Sequence, residues 1–217
     1  RRVIARGQPP RVADLPAARP RDLCYEPFAV LHAGREKTPI FVVERLTAAQ
    51  LRQAQDEDRT DKFFADARLP VAERAQLADY AASGYDRGHM APAANMATPA
   101  AMAQSFSLAN MVPQAPQNNR GVWAKLEGDT RKYVMRAKGP VFVFTGPVYA
   151  AKPQTIGAGR VAVPSHLFKL VYDQSGGRAW AHWIPNSDDA RATAPISYQE
   201  LVRRTGIEFL PGILAIE

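Results

Sequence analysis

Cysteine is almost absent from this sequence: Cys24 stands alone, with no C-x-x-C pair anywhere. Intramolecular disulfides and thiolate zinc clusters are therefore excluded, and a single thiol leaves the redox compartment open. Long apolar runs are missing as well. The best of them, Ile40 to Val43 and Val141 to Phe144, fall far short of the ~18 to 20 residues a membrane helix requires. There is no internal repeat. No methionine opens the chain, which starts at Arg1, so a removed upstream segment such as a signal peptide is expected.

What remains is ordinary globular material. The 217 residues are 46% hydrophobic and 23% charged, enough for one large domain that buries roughly 70% of its unfolded surface. Lys and Arg number 28 against 21 acids, a net charge of +7. An excess of that sign points to an anionic partner, of which nucleic acid is the commonest. The excess is uneven. Residues 1–21 hold six arginines, four prolines and one acid, Asp14, without apolar periodicity. They read as an arginine- and proline-rich arm, flexible or extended over the surface, ahead of a domain spanning 22–217.

Within that domain, Phe28 to Ala33 and Pro39 to Leu46 read as strands around a turn at 32–35. Thr47 with Gln50 forms a capping box opening a helix over 48–57. Pro70 precedes a second helix over 71–80, and Thr98-Pro99 starts a short one ending near Ser105. The longest helix is expected over 116–138, stopped by Gly139-Pro140. Strands follow at 141–145 and 161–164, then a hairpin of 166–172 with 179–184, and a last helix at 195–204. Strands and helices mix without βαβ regularity. That favours an α+β fold, with a mixed or antiparallel central sheet and flanking helices, over a doubly wound one.

Two clusters could carry chemistry. In Tyr85-Asp86-Arg87-Gly88-His89-Met90-Ala91-Pro92, a histidine suited to proton transfer stands two residues after an arginine whose donors match phosphate. Gly88 allows close backbone approach between them. Alone, the tetrapeptide equally suits a structural histidine, and His32, His166 and His182 sit in alternating strand patterns that favour satisfied or solvent-facing rings. In the second cluster, Asn119, Trp123 and Glu127 are spaced by four on the expected long helix. That spacing puts Glu127 about 80° around the axis from Asn119. An amide oxygen and a carboxylate sharing one cleft suit a hard cation that keeps most of its water. A solvated helix face with Glu127–Arg131 and Lys125–Asp129 pairs explains the same residues.

Together the clusters resemble the DNA/RNA non-specific endonuclease family, whose active site is a ββα-metal motif. The likeness runs through Ser83 to Ala94, Ser105-Phe106, Asn110 to Gln114, Asn119-Arg120 to Trp123, and Leu126-Glu127. It implies His89 as general base and Asn119 as the direct ligand of Mg2+, with Mn2+ or another divalent cation able to substitute. It implies Glu127 acting on the metal through water, and Asn110 positioning His89 or the phosphate. Arg59, within Arg59-Thr-Asp-Lys-Phe-Phe-Ala-Asp66, matches an upstream arginine that stabilises the charged phosphorane. Arg87 would orient substrate, and Asp86 would fix the turn. The implied activity is Mg2+-dependent hydrolysis of DNA and RNA to 5′-phosphate and 3′-hydroxyl ends. Competing readings are a catalytically inactive nucleic-acid-binding protein on the same fold, or a phosphodiesterase restricted to single strands or RNA. A nuclease without specificity endangers its own cell, so a periplasmic or secreted location is expected, with an organelle as the other choice. An inhibitor protein and a homodimer are further expected partners, and a membrane span is not.

Overall fold

The structure, a computed structural model, describes residues 8–213. Its strands are β1 (Arg11–Val12), β2 (Pro20–Cys24), β3 (Phe28–Ala33), β4 (Thr38–Leu46), β5 (Asp86–His89) and β6 (Met111–Gln114). They continue as β7 (Val141–Val148), β8 (Thr155–Ile156), β9 (Val161–Ala162), β10 (His166–Asp173), β11 (Arg178–Pro185) and β12 (Ile207–Glu208). The helices are α1 (Ala48–Ala54), α2 (Leu77–Tyr80), α3 (Pro99–Ser105), α4 (Pro116–Arg120), α5 (Val122–Arg136) and α6 (Tyr198–Thr205). Among the described residues no helix is long and apolar enough to cross a membrane.

Six strands form an antiparallel sheet in the order β11-β10-β7-β4-β3-β2. Alternation along them sends successive side chains to opposite faces, and both faces are covered. One face carries Phe41, Phe142, Phe144, Phe168, Leu170 and Tyr172 and lies under α6 and the segment Phe209 to Ile213. The other carries Val30, Val42, Leu167 and Ile184, packed with Trp123, Met90, Met96, Met102 and Phe106. Each large apolar side chain removed from water there contributes roughly 1.5 to 3 kcal/mol before chain entropy is counted. The outcome is an α+β fold with a central antiparallel sheet. The second face is the one that positions the candidate site, because β5, β6 and α5 are seated on it.

Several local expectations hold and others shift. Thr47 and Gln50 make the capping box, and Thr98 caps α3 by accepting from the Ala101 N–H. The first hairpin turns at 34–37, so His32 and Ala33 belong to β3. His32 is neither satisfied nor solvent-facing: it is fully buried and both ring nitrogens lack partners. The expected helix over 71–80 is a single 3-10 turn at Val71–Glu73 and the four-residue α2. Arg74 is extended between them, while Glu73 is drawn away by the Arg21 guanidinium at 2.6 Å. The expected long helix is broken at Gly121 into α4 and α5. A Cβ there would sit 2.6 Å from the Gln117 carbonyl, so the break needs glycine. The last helix starts at Tyr198, capped by Ser197.

The expected boundary after residue 21 falls inside β2, which pairs with β3 from Pro20↔Ala33 to Cys24↔Ala29. Arg11 and Val12 pair with Glu208 and Ile207. Residues 1–7, the first part of the expected arm, lie outside the described residues.

Candidate active site

The D-R-G-H run is strand β5. It pairs antiparallel with β6 in the register Asp86↔Gln114, Arg87↔Pro113, Gly88↔Val112, His89↔Met111. A side chain at position 88 would run into Gln114, which is why glycine stands between arginine and histidine. Chain then leads through α4 into α5, completing β-β-α. A cavity of about 960 Å³ opens over this unit, and Arg59, Arg87, His89, Asn119 and Glu127 all line it. Residues as far apart in sequence as Arg59 and Glu127 are thereby brought to one place.

His89 is caged by two rings. Phe106 lies edge-on at 4.8 Å between centroids and Phe63 at 5.8 Å. The Arg59 guanidinium covers the Phe106 ring at 5.1 Å, and that of Arg87 covers Phe63 at 3.9 Å. The Nε2 atom is sealed without a partner, leaving Nδ1 to face the cavity. Burial, reinforced by the charges of Arg59 and Arg87 against that of Asp61, pushes the imidazole down to about 3. It is neutral, with a lone pair available, throughout the physiological range.

Asn110 does not line the cavity. Its side chain is fully buried, accepting from the Ala91 N–H at 2.9 Å and donating to the carbonyls of Ala91 and Ser105. Its own carbonyl accepts from the Met90 N–H. Asn110 therefore fastens the backbone immediately after His89 and has no surface for a phosphate.

The neighbouring asparagines separate cleanly. Asn118 is buried with both amide ends used, accepting from Gln114 at 2.7 Å and donating to the Pro185 carbonyl at 2.8 Å. Asn119 donates Nδ2 to Asp86 at 2.8 Å, which fixes the amide and leaves its oxygen for the cavity. Arg120 holds the same carboxylate through Nε at 2.9 Å and Nη2 at 2.7 Å. Burial alone would raise Asp86, but the bonds from Arg120 and Asn119 outweigh it and hold the group below its ordinary value. Asp86 thus does more than fix a turn: it orients Asn119.

Glu127 reaches the cavity from α5. Burial raises its carboxyl, opposed by the cations of Lys169, Arg131 and Arg59. The expected Glu127–Arg131 ion pair is absent among the described contacts; Arg131 instead donates to Asn95 at 3.3 Å, and Asn95 to Glu44 at 3.0 Å. Lys125–Asp129 forms as expected. Beneath Glu127, Lys169 is buried and donates to Thr145 at 2.8 Å. Burial, opposed by Lys169 and Asn95, pushes Glu44 up to about 7.

Among the described residues no three of His, Cys, Asp and Glu come together as a metal cluster. Zinc-type tetrahedral ligation is therefore not built here. The Asn119 amide oxygen and the Glu127 carboxylate form a sparse, all-oxygen donor set, which suits a hard divalent cation retaining its hydration. Sequence alone missed Phe63, Phe106 and the Arg120 clamp, all contributions that only the tertiary arrangement brings to His89 and Asn119.

Residues 13–215 match the family model for the DNA/RNA non-specific endonuclease. Human mitochondrial endonuclease G is 35% identical over 226 residues, covering 95% of this chain and 72% of that protein. Nuclease C1 of Cunninghamella echinulata var. echinulata is 34% identical, covering 87% and 79%. A crystal structure of an EndoG/EndoGI complex, addressing the mechanism of EndoG inhibition, superposes with a TM-score of 0.81 at 29% identity, covering 89% of this chain and 86% of that one.

Proposed function

The chain belongs to the DNA/RNA non-specific endonuclease family, a family of phosphodiester hydrolases, and from that premise we propose that it cuts both DNA and RNA with Mg2+, leaving 5′-phosphate and 3′-hydroxyl ends. The observation carrying this reading is the convergence of His89, Arg59, Arg87, Asn119 and Glu127 on one cavity. Asn119 Oδ1 and the Glu127 carboxylate are the donors that would hold the cation, directly and through water. Bound there, Mg2+ would supply Lewis-acid charge to the reacting phosphate.

His89 takes a proton from the attacking water at Nδ1, a base role worth roughly 10² to 10⁴ in rate. The water oxygen bonds to phosphorus as the bond to the 3′-oxygen breaks. Arg59 and Arg87 donate to the phosphoryl oxygens where negative charge grows. Their rings, Phe106 and Phe63, hold both guanidinium groups beside the histidine they flank. Asn110 positions His89 through the backbone, and Asp86 positions Asn119. Contacts to phosphate carry no base information, so lack of sequence preference follows.

The test is cleavage of supercoiled plasmid and a structured RNA with Mg2+, with EDTA, and by His89→Ala. Loss of cutting in EDTA and in His89→Ala is expected, with the variant's fold intact by circular dichroism. Cutting that survives both treatments sinks the mechanism, and binding of either polymer without any cutting would mark a catalytically inactive protein. Such an enzyme needs separation from its own genome, so we place it outside the cytoplasm or in an organelle; endonuclease G and other relatives carry mitochondrial names. A dedicated inhibitor protein is the corresponding expectation, supported by the EndoG/EndoGI complex, and a homodimer is proposed as the solution form.

A further inference from the structure

The cavity is larger than its catalytic corner, and its walls differ in chemistry. Besides the arginines and His89, the cavity is lined by Leu77, Ala78, Tyr80, Ala81, Ala82 and Tyr85. Leu77 is 45% exposed and lines the cavity, so its side chain is accessible to whatever enters. Tyr85 is half-buried and packs on a cluster containing Tyr80, Met111, Ile156 and Val161, which Phe63 also joins. Phe63, the ring beside His89, and Tyr85 thus rest on one buried cluster and both line the cavity.

This wall is held in place from behind. The Asp79 carboxylate accepts from the Gln76 N–H at 2.8 Å and from the Gly159 N–H at 2.6 Å. It thereby ties α2 to the β8–β9 turn. The wall is preformed rather than a loop awaiting a partner.

A phosphodiester always brings two kinds of surface, anionic oxygens and the faces of its bases. The first match the Arg59 and Arg87 wall by charge. The second match an apolar wall with an aromatic ring, because every base has a π-face that stacks without regard to sequence. Within a duplex those faces are covered by neighbouring bases, so only an unpaired base can present one. We propose that the Leu77–Tyr85 wall is a nucleobase subsite that takes an unpaired base flanking the scissile phosphate. The proposal rests on the phosphodiester-cleaving reading of the same cavity. It gives the enzyme a preference for single strands and locally opened duplex while leaving it indifferent to base identity.

The experiment is steady-state cleavage of a short single-stranded oligodeoxynucleotide, the same oligomer abasic on both sides of the cut, and its duplex. Each is assayed with wild type, Leu77→Ser, Tyr85→Ala and Tyr85→Phe. For the base-bearing single strand, Leu77→Ser and Tyr85→Ala should raise KM roughly 5- to 50-fold, with kcat changed less than about two-fold. Tyr85→Phe keeps the ring and should keep the wild-type KM. Wild type should already show the raised KM on the abasic oligomer and on the duplex, and Leu77→Ser should add nothing there. Unchanged KM in Leu77→Ser, or an equal rise on the abasic oligomer, overturns the subsite. So does unchanged KM accompanied by loss of a dimer in light scattering, which would assign the wall to a second copy of the chain. Failure of wild type to cleave any of the three substrates is a separate outcome, and refutes the nuclease reading itself.

Discussion

At His32, burial pushes the ring down to about 4, against the pull of Glu73 and Asp66, and neither nitrogen has a partner. The folded state therefore binds its proton far more weakly than the unfolded chain, where the ring titrates near 6.5. Stability contributed by the neutral ring is complete above about pH 6.5 and is lost as pH falls toward 4. The loss amounts to about 3 kcal/mol at the acid end. His32→Leu should flatten urea-derived stability across that window, and an unchanged slope would show that His32 takes up its proton alike in both states. At the asparagine proposed to hold the cation, Asn119→Ala should abolish Mg2+-dependent cutting with little change in Tm. Asn118→Ala should do the reverse, retaining activity but losing roughly 1 to 3 kcal/mol as Gln114 and the Pro185 carbonyl lose their partner. A differential scanning and plasmid assay on the pair separates the two roles.

Placement at this scale was legible where the spacing is local. Arg87 and His89 share a strand face because their spacing is two, and the Asn119 to Glu127 spacing survives as a shared cavity even though the helix between them breaks. The seclusion of Asn110 from phosphate was not legible, because three backbone partners from two other segments decide it. Phe106 falls within the family likeness and Phe63 within the Arg59 run, yet nothing local says that their rings flank His89. Their rings become significant only when the loop holding Phe63 is pinned across the molecule. Asp66 does this by accepting from Tyr25 at 2.6 Å and from Arg68 through both oxygens.

Elements follow the same division. Strand alternation and side-chain caps are short-range signals, so β3, β4, α1, α3 and the β10–β11 hairpin stand close to where the pattern puts them. The segment 71–80 has helical composition, yet a tertiary bond draws Glu73 to Arg21, and α2 starts afresh where Asp79 turns back to cap Gln76. That cap also makes a prediction for the element as a whole. Gly157 and Gly159 leave no room for a Cβ beside Asp79, so the turn and the carboxylate are fitted to each other. Asp79→Ala removes an N-terminal cap and orphans the Gly159 N–H, costing about 2 to 3 kcal/mol. Hydrogen exchange should accelerate across both α2 and 155–162, while exchange in β10 and β11 stays as in wild type. Acceleration confined to α2 would mean that Asp79 does not couple the two.

For the whole molecule, charge and architecture divide the chain at different places. By charge the break lies after residue 21, where +5 gives way to +2 for the other 196 residues. By architecture no break exists there, since Leu23 is buried in the core beside Phe28 and β1 clasps β12 through the Arg11–Glu208 contact. Composition revealed the first and could not reveal the second, because pairing of residue 12 with 207 is a long-range event. The two divisions make opposite predictions for truncation. Removing residues 1–7 takes away three arginines and no acid, leaving every described strand pair. Affinity for nucleic acid should then fall and its logarithmic salt slope should shrink by up to about 3, at unchanged Tm. Removing residues 1–21 takes three more arginines but also β1 and the start of β2, uncovering the edges of β12 and β3. Its Tm should drop, and cleavage should weaken at every salt concentration through the unfolded fraction as well as through lost charge. An unchanged Tm for the longer deletion would mean that those two pairings add nothing to the stability of the sheet.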